Sequence, residues 1–186
     1  MNETPRIRSV DEVMTLLAAG GGEAYFGEPV TVLEHSLQAA WFVKRKGGSE
    51  SLVAAALLHD LGHLLHTEGE DAATRGLDTH HEDLGAEALA GHFESEVLDP
   101  IRLHVAAKRY LCYAQPRYFA GLSPASVESL ALQGGPMSAA EAEAFLALPN
   151  ARDAIALRHA DDAAKVRGLE VPALEGYRPL LTALWR

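Results

Sequence analysis

Six side chains of the kind that hold metal ions are spread over five stretches of this chain. They are His35, the adjacent pair His59-Asp60, His81, His104 and Asp161. No local spacing among them makes a zinc finger or a helical His-Glu-x-x-His site. If they act together, the fold has to bring five helices to one centre, which limits the possible architectures severely. The anchor is Leu57-Leu58-His59-Asp60-Leu61-Gly62-His63, where an apolar helix meets a glycine. Neighbouring residues at a helix end point in different directions. The Asp60 carboxylate can therefore bridge two metals while the His59 imidazole binds one. Imidazole with carboxylate suits iron, manganese or zinc better than copper. A single helical histidine is more often a satisfied core residue than a ligand, but six candidates in this arrangement point to a two-metal site.

The remaining sequence supplies the helices. Alanine and leucine dominate, aromatic residues make up 6% and β-branched residues are few, which favours helices over sheets. Helices are expected over 10–19, 31–46, 52–59, 82–93, 101–111, 124–133, 139–148 and 150–166. Gly20-Gly21-Gly22, Gly47-Gly48 and Gly134-Gly135-Pro136 end three of them. The 52–59 segment, capped by Ser49, is apolar almost all round and so is expected to be central and buried. Asp99-Pro100 is read as opening 101–111, because proline suits a first helical turn. Ser123-Pro124 opens the next helix, and Ser138 with Glu141 forms a capping box before 139–148. Residues 67–78 read as a polar surface loop. The tail, 172–186, is expected to pack back through Leu180, Leu181, Leu184 and Trp185. At 186 residues the chain is expected to be one domain, an all-α bundle with the metals at its centre.

Charge and targeting signals narrow the partners. The formal net charge of −10 disfavours nucleic acid. No apolar run reaches membrane-spanning length, and residues 1–10 do not read as a signal peptide. The single cysteine, Cys112, fits a reducing compartment, so a cytoplasmic protein with no membrane partner is expected. A small anion would need local donors set against that global field. Lys108 follows His104 by four residues, on the same helix face. Ser126, Ser129 and Gln133 share another face, and Arg158, Asp161 and Lys165 a third. Each stripe alone reads as a solvated surface. Together they set donors on three helices, two of which also carry candidate ligands, and suggest a phosphate or phosphonate pocket beside the metals. His63 is placed to hydrogen-bond substrate or a ligand. His66, His80, His92 and His159 have weaker claims. His81 is preferred to His80 because Glu82-Asp83-Leu84-Gly85-Ala86 fixes it at a helix start.

Through His35, His59-Asp60 and Asp161 the sequence resembles the HD-domain superfamily, most of whose members are metal-dependent phosphohydrolases. More specific segments resemble its mixed-valent di-iron oxygenase branch, which includes the PhnZ-type 2-amino-1-hydroxyethylphosphonate oxygenases. These are Tyr25-Phe26-Gly27-Glu28, Leu33-Glu34-His35-Ser36-Leu37-Gln38, the stretch from His104 to Leu111 that contains Lys108, and Gln133-Gly134-Gly135-Pro136-Met137. The likeness covers a core of about 25–177 and is poor between His63 and His81. It implies one iron on His35, His59 and Asp161, a second on His81 and His104, and Asp60 between them. It also implies that His63, Lys108, Ser126, Ser129, Gln133 and Arg158 hold a phosphonate. Catalytic roles fall to Tyr25, Glu28 and His63. Tyr25 would occupy an iron position without substrate, Glu28 would take a substrate ammonium, and the two would swing out as substrate enters. The implied reaction uses an Fe(II)/Fe(III) pair and dioxygen to cleave a carbon–phosphorus bond, giving phosphate and a carboxylic acid.

Two other functions suit the same residues. An HD phosphohydrolase acting on a nucleotide or phosphate ester would use the ligands with a metal-activated water, but has no evident need of Tyr25 and Glu28. A non-enzymatic ligand-sensing module would tolerate loss of ligands, and all six candidates are present. Within the oxygenase reading, the substrate's far end could carry a primary ammonium or a trimethylammonium resting on aromatic faces. It could also be a smaller 1-hydroxyalkylphosphonate.

Overall fold

The computed structural model describes residues 6–22, 24, 25, 27–65 and 75–186. These residues form nine α-helices and no β-strand. In chain order they are α1 (Val10–Gly20), α2 (Val32–Arg45), α3 (Glu50–Leu58), α4 (His81–Ala88), α5 (Ser95–Ala114), α6 (Pro124–Leu132), α7 (Ala139–Leu146), α8 (Ala151–Ala163) and α9 (Arg178–Leu184). Most helix starts follow local chemistry. Ser9, Thr31, Ser49, Ser123 and Ser138 each accept a backbone N–H in the first turn of the following helix. Thr31 with Glu34 and Ser138 with Glu141 complete reciprocal capping boxes.

Helix α3 is the centre of the bundle, and every residue from Leu52 to Leu58 is buried. An apolar surface on all sides has only one stable location, inside a ring of partners. Helices α2, α5 and α8 pack on α3 and also on one another along the α2–α8 and α5–α8 seams, while α4 lies against α5. The small side chains of Ala54, Ala55 and Ala56, all fully buried, let these neighbours approach closely. Helix α1 adds Val13, Met14 and Leu17 to the same core, and α9 adds Leu181. Leu180, Leu184 and Trp185 pack against it, so the tail returns as expected.

Three element boundaries differ from expectation. Pro100 lies inside α5, which begins at Ser95, so it does not open the helix. Val97 is buried in the main core one turn earlier, and that burial carries the helix through the missing proline N–H. The 82–93 expectation fails beyond Ala88, because Gly91 takes a left-handed φ of 88° and turns the chain. The last long helix stops at Ala163, where the Gln38 side chain takes over the backbone of Val166, accepting its N–H and donating to its carbonyl. His66 and most of the expected 67–78 loop lie outside the described residues.

After α3 the chain makes a short 3-10 turn, Leu61–Leu64, that lies directly on α4. Gly62 makes this possible, since a β-carbon built there would stand 1.9 Å from the His81 carbonyl oxygen. Gly62→Ala must therefore push the turn and α4 apart. The expected outcome is a loss of about 3 kcal/mol in stability, as for a tightly packed core site that is overfilled. Metal content should fall as well. Thermal melting and metal analysis of the purified variant check this, and a wild-type melting temperature would show that the two elements do not pack this closely.

Candidate active site

The six candidate ligands converge, each from a different position in the bundle. His35 comes from α2, His59 and Asp60 from the end of α3, His81 from the first residue of α4, His104 from the middle of α5 and Asp161 from the last turns of α8. All six are buried. His35, His59 and Asp161 have ligand atoms grouped closely enough to share an ion, and so do Asp60, His63 and His81. His104 Nε2 lies 3.1 Å from His81 Nε2 and 3.7 Å from Asp60 Oδ1, on the side of the second group.

The ring orientations carry chemical information. His35 Nδ1 lies 2.9 Å from the Ala164 carbonyl, His59 Nδ1 2.9 Å from Ala56 and His104 Nδ1 2.7 Å from Ile101. A carbonyl can only accept, so each Nδ1 carries the hydrogen and each neutral ring turns an Nε2 lone pair inward. His35 and His59 then face each other through Nε2 atoms 3.2 Å apart. Asp161 Oδ1, buried and without a hydrogen bond, lies 3.4 Å from His35 Nε2. Facing lone pairs and an orphaned carboxylate oxygen repel unless a cation or proton sits among them. The donor set fits a metal, and the backbone carbonyls act as the partners that orient metal-binding imidazoles.

The electrostatics agree. Burial alone would raise the Asp60 carboxyl, yet His59 and then His63 and His81 hold it well below the usual range. Burial likewise opposes ionisation of Asp161, and Arg158 first, then His35 and His59, reverse this. Both carboxylates stay charged. Burial and the cationic form of His59 push His104 down to about 3, which keeps that ring neutral. Burial and His63 lower His81 in the same sense. Burial opposes a proton on His59, but Asp60 and Asp161 raise it to about 9, so a metal there displaces a proton that the carboxylates attract.

Two further rings stack on the ligand histidines, one at each end of the Asp60 carboxylate. Tyr25 stacks on His35, with ring centroids 3.9 Å apart, and donates a 2.7 Å hydrogen bond to Asp60 Oδ2. Burial, Asp60 and Asp161 hold its phenol well above the ordinary value, so it remains a donor. His63 stacks on His81 at 3.8 Å, and its Nε2 is 3.9 Å from Asp60 Oδ1. With Asp60 and His81 its ring is placed where a metal could be held. The choice between His80 and His81 is plain in space. The His80 side chain is 66% exposed and that of His81 is 9% exposed.

Beside the metal residues lies a basic, hydroxyl-rich wall. Lys108 Nζ donates to Ser129 Oγ at 2.7 Å, and Ser129 Oγ donates to the Ser126 carbonyl. Gln133 caps the C-terminal end of α6, and its side-chain Oε1 is buried without a hydrogen bond. Arg158 Nη1 pairs with Asp161 Oδ2 at 2.8 Å. Its other edge is fixed by Asp162 and by the Tyr118 hydroxyl, which itself donates to Asp162. Glu28 pairs with Lys165, 3.0 Å away. Sequence reading selected Arg158 but missed the Tyr118–Asp162 clamp behind it, and it used Lys165 only as a member of a stripe. The i, i+4 relation of Arg158 to Asp162 was available, whereas Tyr118 comes from another element and had no local signal. His92 stacks on Trp185 at 4.4 Å and His159 meets the Tyr118 ring, so both have packing roles.

Burial, and after it Arg158, pushes the Lys108 ammonium down to about 7. Above that pH the side chain is largely neutral, and a bound dianion should recharge it. Phosphate binding at pH 8 is therefore expected to take up close to one proton, and Lys108→Met should abolish the uptake. Calorimetry in buffers of different ionisation enthalpy measures this. Equal uptake in both proteins would remove Lys108 from the anion site.

The chain is similar in sequence to known proteins. The HD domain family model matches residues 32–164, which contain all six candidate ligands. The chain is 45% identical over 161 residues to a [1-hydroxy-2-(trimethylamino)ethyl]phosphonate dioxygenase (glycine-betaine-forming) from Leisingera caerulea, covering 87% of this chain and 82% of that protein. It is 44% identical over 180 residues to a hydroxymethylphosphonate dioxygenase from Gimesia maris, covering 95% and 88%. An uncharacterized protein, L432, of Acanthamoeba polyphaga mimivirus is 32% identical over 177 residues, covering 94% and 81%. The chain belongs to the HD-domain family, in the group that includes these two dioxygenases.

Proposed function

We propose that the protein is a dioxygenase that cleaves the carbon–phosphorus bond of a 1-hydroxyalkylphosphonate, giving inorganic phosphate and a carboxylic acid. The observation that carries this reading is the placement of Tyr25, buried against His35, hydrogen-bonded to the central Asp60 and within electrostatic reach of Arg158, with Lys108, Ser126 and Ser129 linked to one another close by. A hydrolase has to admit water to its metals, and a phenol over the central carboxylate works against that. The similarity to two phosphonate dioxygenases supports the same conclusion.

His35, His59 and Asp161 would hold one iron, His81 and His104 the other, with Asp60 between them. Bound there as an Fe(II)/Fe(III) pair, iron would supply the activation of dioxygen and a Lewis-acid site for the substrate hydroxyl. The chain's own groups do the rest. Lys108, the α6 hydroxyls and Gln133 would grip the phosphonate and orient the C1–H bond toward the metals. Arg158, clamped by Asp161, Asp162 and Tyr118, would present fixed positive charge as phosphate departs. Tyr25 would exclude water before substrate arrives and yield its place to the substrate hydroxyl, with His63 donating to the same end.

The test is phosphate release from hydroxymethylphosphonate, 1-hydroxyethylphosphonate and 2-amino-1-hydroxyethylphosphonate by iron-loaded protein, with and without dioxygen. Oxygen-dependent phosphate with an equal amount of carboxylic acid is expected from at least one of them. Glycine would be the acid from the primary amine. Anaerobic release from phosphate esters alone would establish the hydrolase. Asp60→Ala should lose paired metal, falling to one iron or fewer per chain by elemental analysis, and retention of two would sink the bridging assignment. Lys108→Ala should raise KM by one to two orders of magnitude with iron unchanged, as expected for loss of a charge-assisted contact.

A further inference from the structure

Glu28 is the residue that, by resemblance, would receive a substrate ammonium. In this protein its charge is already matched from within. Lys165 Nζ lies 3.0 Å from Glu28 Oε1, in a recess where the two side chains are only 14% and 12% exposed. Lys165 is held in place by Ser123 Oγ at 3.1 Å and Ser126 Oγ at 3.2 Å. Ser126 belongs to the wall proposed to grip the phosphonate, so Lys165 stands between that wall and Glu28. Glu28 is held less firmly. Its Oε1 is buried and forms no hydrogen bond of good geometry, so the ion pair is its main tie. Glu28 also sits on the same short turn as Tyr25, to whose carbonyl its N–H donates at 2.7 Å.

We propose that Lys165 is a third phosphonate-binding cation, with Glu28 as an internal counter-ion that the phosphonate replaces, and that the substrate carries no cationic group. This rests on the C–P cleaving reading above. Three buried or half-buried cations, Lys108, Arg158 and Lys165, lie close enough to repel one another, and both Arg158 and Lys165 contribute to the lowering of Lys108. A dianionic phosphonate relieves that repulsion. A substrate ammonium close to Glu28 meets Lys165 instead, and like charges at such range in a dry recess repel strongly. Dislodging Lys165 to make room would cost its two hydroxyl partners. The two named relatives differ at this end of the molecule, one name specifying a trimethylamino group and the other hydroxymethylphosphonate. The Lys165–Glu28 pair favours the latter type for this chain.

The experiment compares kcat/KM for hydroxymethylphosphonate, 1-hydroxyethylphosphonate, 2-amino-1-hydroxyethylphosphonate and its N-trimethylated form with the iron-loaded protein. The better amine-free substrate should exceed both cationic ones at least tenfold. Lys165→Gln should raise KM for the amine-free substrates at least tenfold and narrow the preference to less than threefold. Glu28→Gln removes the competing carboxylate and should tighten anaerobic binding of inorganic phosphate at least threefold by calorimetry, a readout that needs no turnover. Equal or better use of a cationic substrate by the wild type overturns the inference and leaves the oxygenase intact. Weaker phosphate binding by Glu28→Gln, or an unchanged preference in Lys165→Gln, also overturns it. Turnover of none of the four overturns both this inference and the reading beneath it.

Discussion

One buried carboxylate organises the middle of this protein. Asp60 has an oxygen within 3.9 Å of a ring nitrogen of each of five histidines, His35, His59, His63, His81 and His104. It also accepts the Tyr25 hydroxyl. A charged group so far from water is costly unless it is matched on every side. The bundle meets that condition by aiming helices α2, α4 and α5 at the end of α3. Asp60 sits just where α3 stops, so its backbone is free of the helix and its two oxygens face opposite halves of the cluster. His35 and His59 approach Oδ2, whereas His63, His81 and His104 approach Oδ1. That division of one carboxylate between two groups of imidazoles is what a bridging ligand requires.

The requirement reaches outward into the fold. Imidazoles present lone pairs to a metal only if their other nitrogens are occupied, and three rings achieve this through backbone carbonyls. His59 and His104 each use the carbonyl three residues earlier in their own helix, so a helical position alone orients the ring. His35 reaches across the bundle to Ala164, at the end of α8, which ties the orientation of a ligand to the point where that helix terminates. The Gln38–Val166 pair fixes the same place from the same helix as His35. Tertiary structure and ligand geometry are thus set by a shared group of hydrogen bonds.

Much of this could be read in the sequence, for physical reasons that differ from part to part. The apolar circumference of 52–58 allows only a central helix, and the His-Asp pair at its end marks the centre. Capping residues gave helix starts because their effect is local. Pro100 was misleading because its local preference was outweighed by burial of Val97, a tertiary effect. The Tyr118–Asp162 clamp and the Lys165–Glu28 pair were hidden for the same reason. Each joins residues far apart in sequence, at least one of them outside a helix, and no periodicity encodes such a meeting. The choice of His81 over His80 rested on flanking residues. In the structure it follows from His80 taking a left-handed φ of 48°, which turns its ring to solvent and leaves His81 to start α4.

The overall charge of −10 and the proposed anionic substrate are reconciled by the way anions and cations share positions on α8. Asp161 faces the metal residues with one oxygen and Arg158 with the other. Its single charge therefore stabilises metal on one side and a buried guanidinium on the other. Asp162 and Tyr118 complete the satisfaction of that guanidinium, and Asp161 and Asp162 outweigh the burial that opposes its charge. Two residues past the end of α8, Lys165 adds a further cation that donates to Ser126. Cations placed in this way act over a few ångströms and are little affected by the distant surface charge, which solvent screens beyond about 10 Å. The acidic exterior discourages polyanions, while Arg158 on α8, Lys108 on α5 and the α6 hydroxyls set positive charge and donors locally, where a small anion could use them.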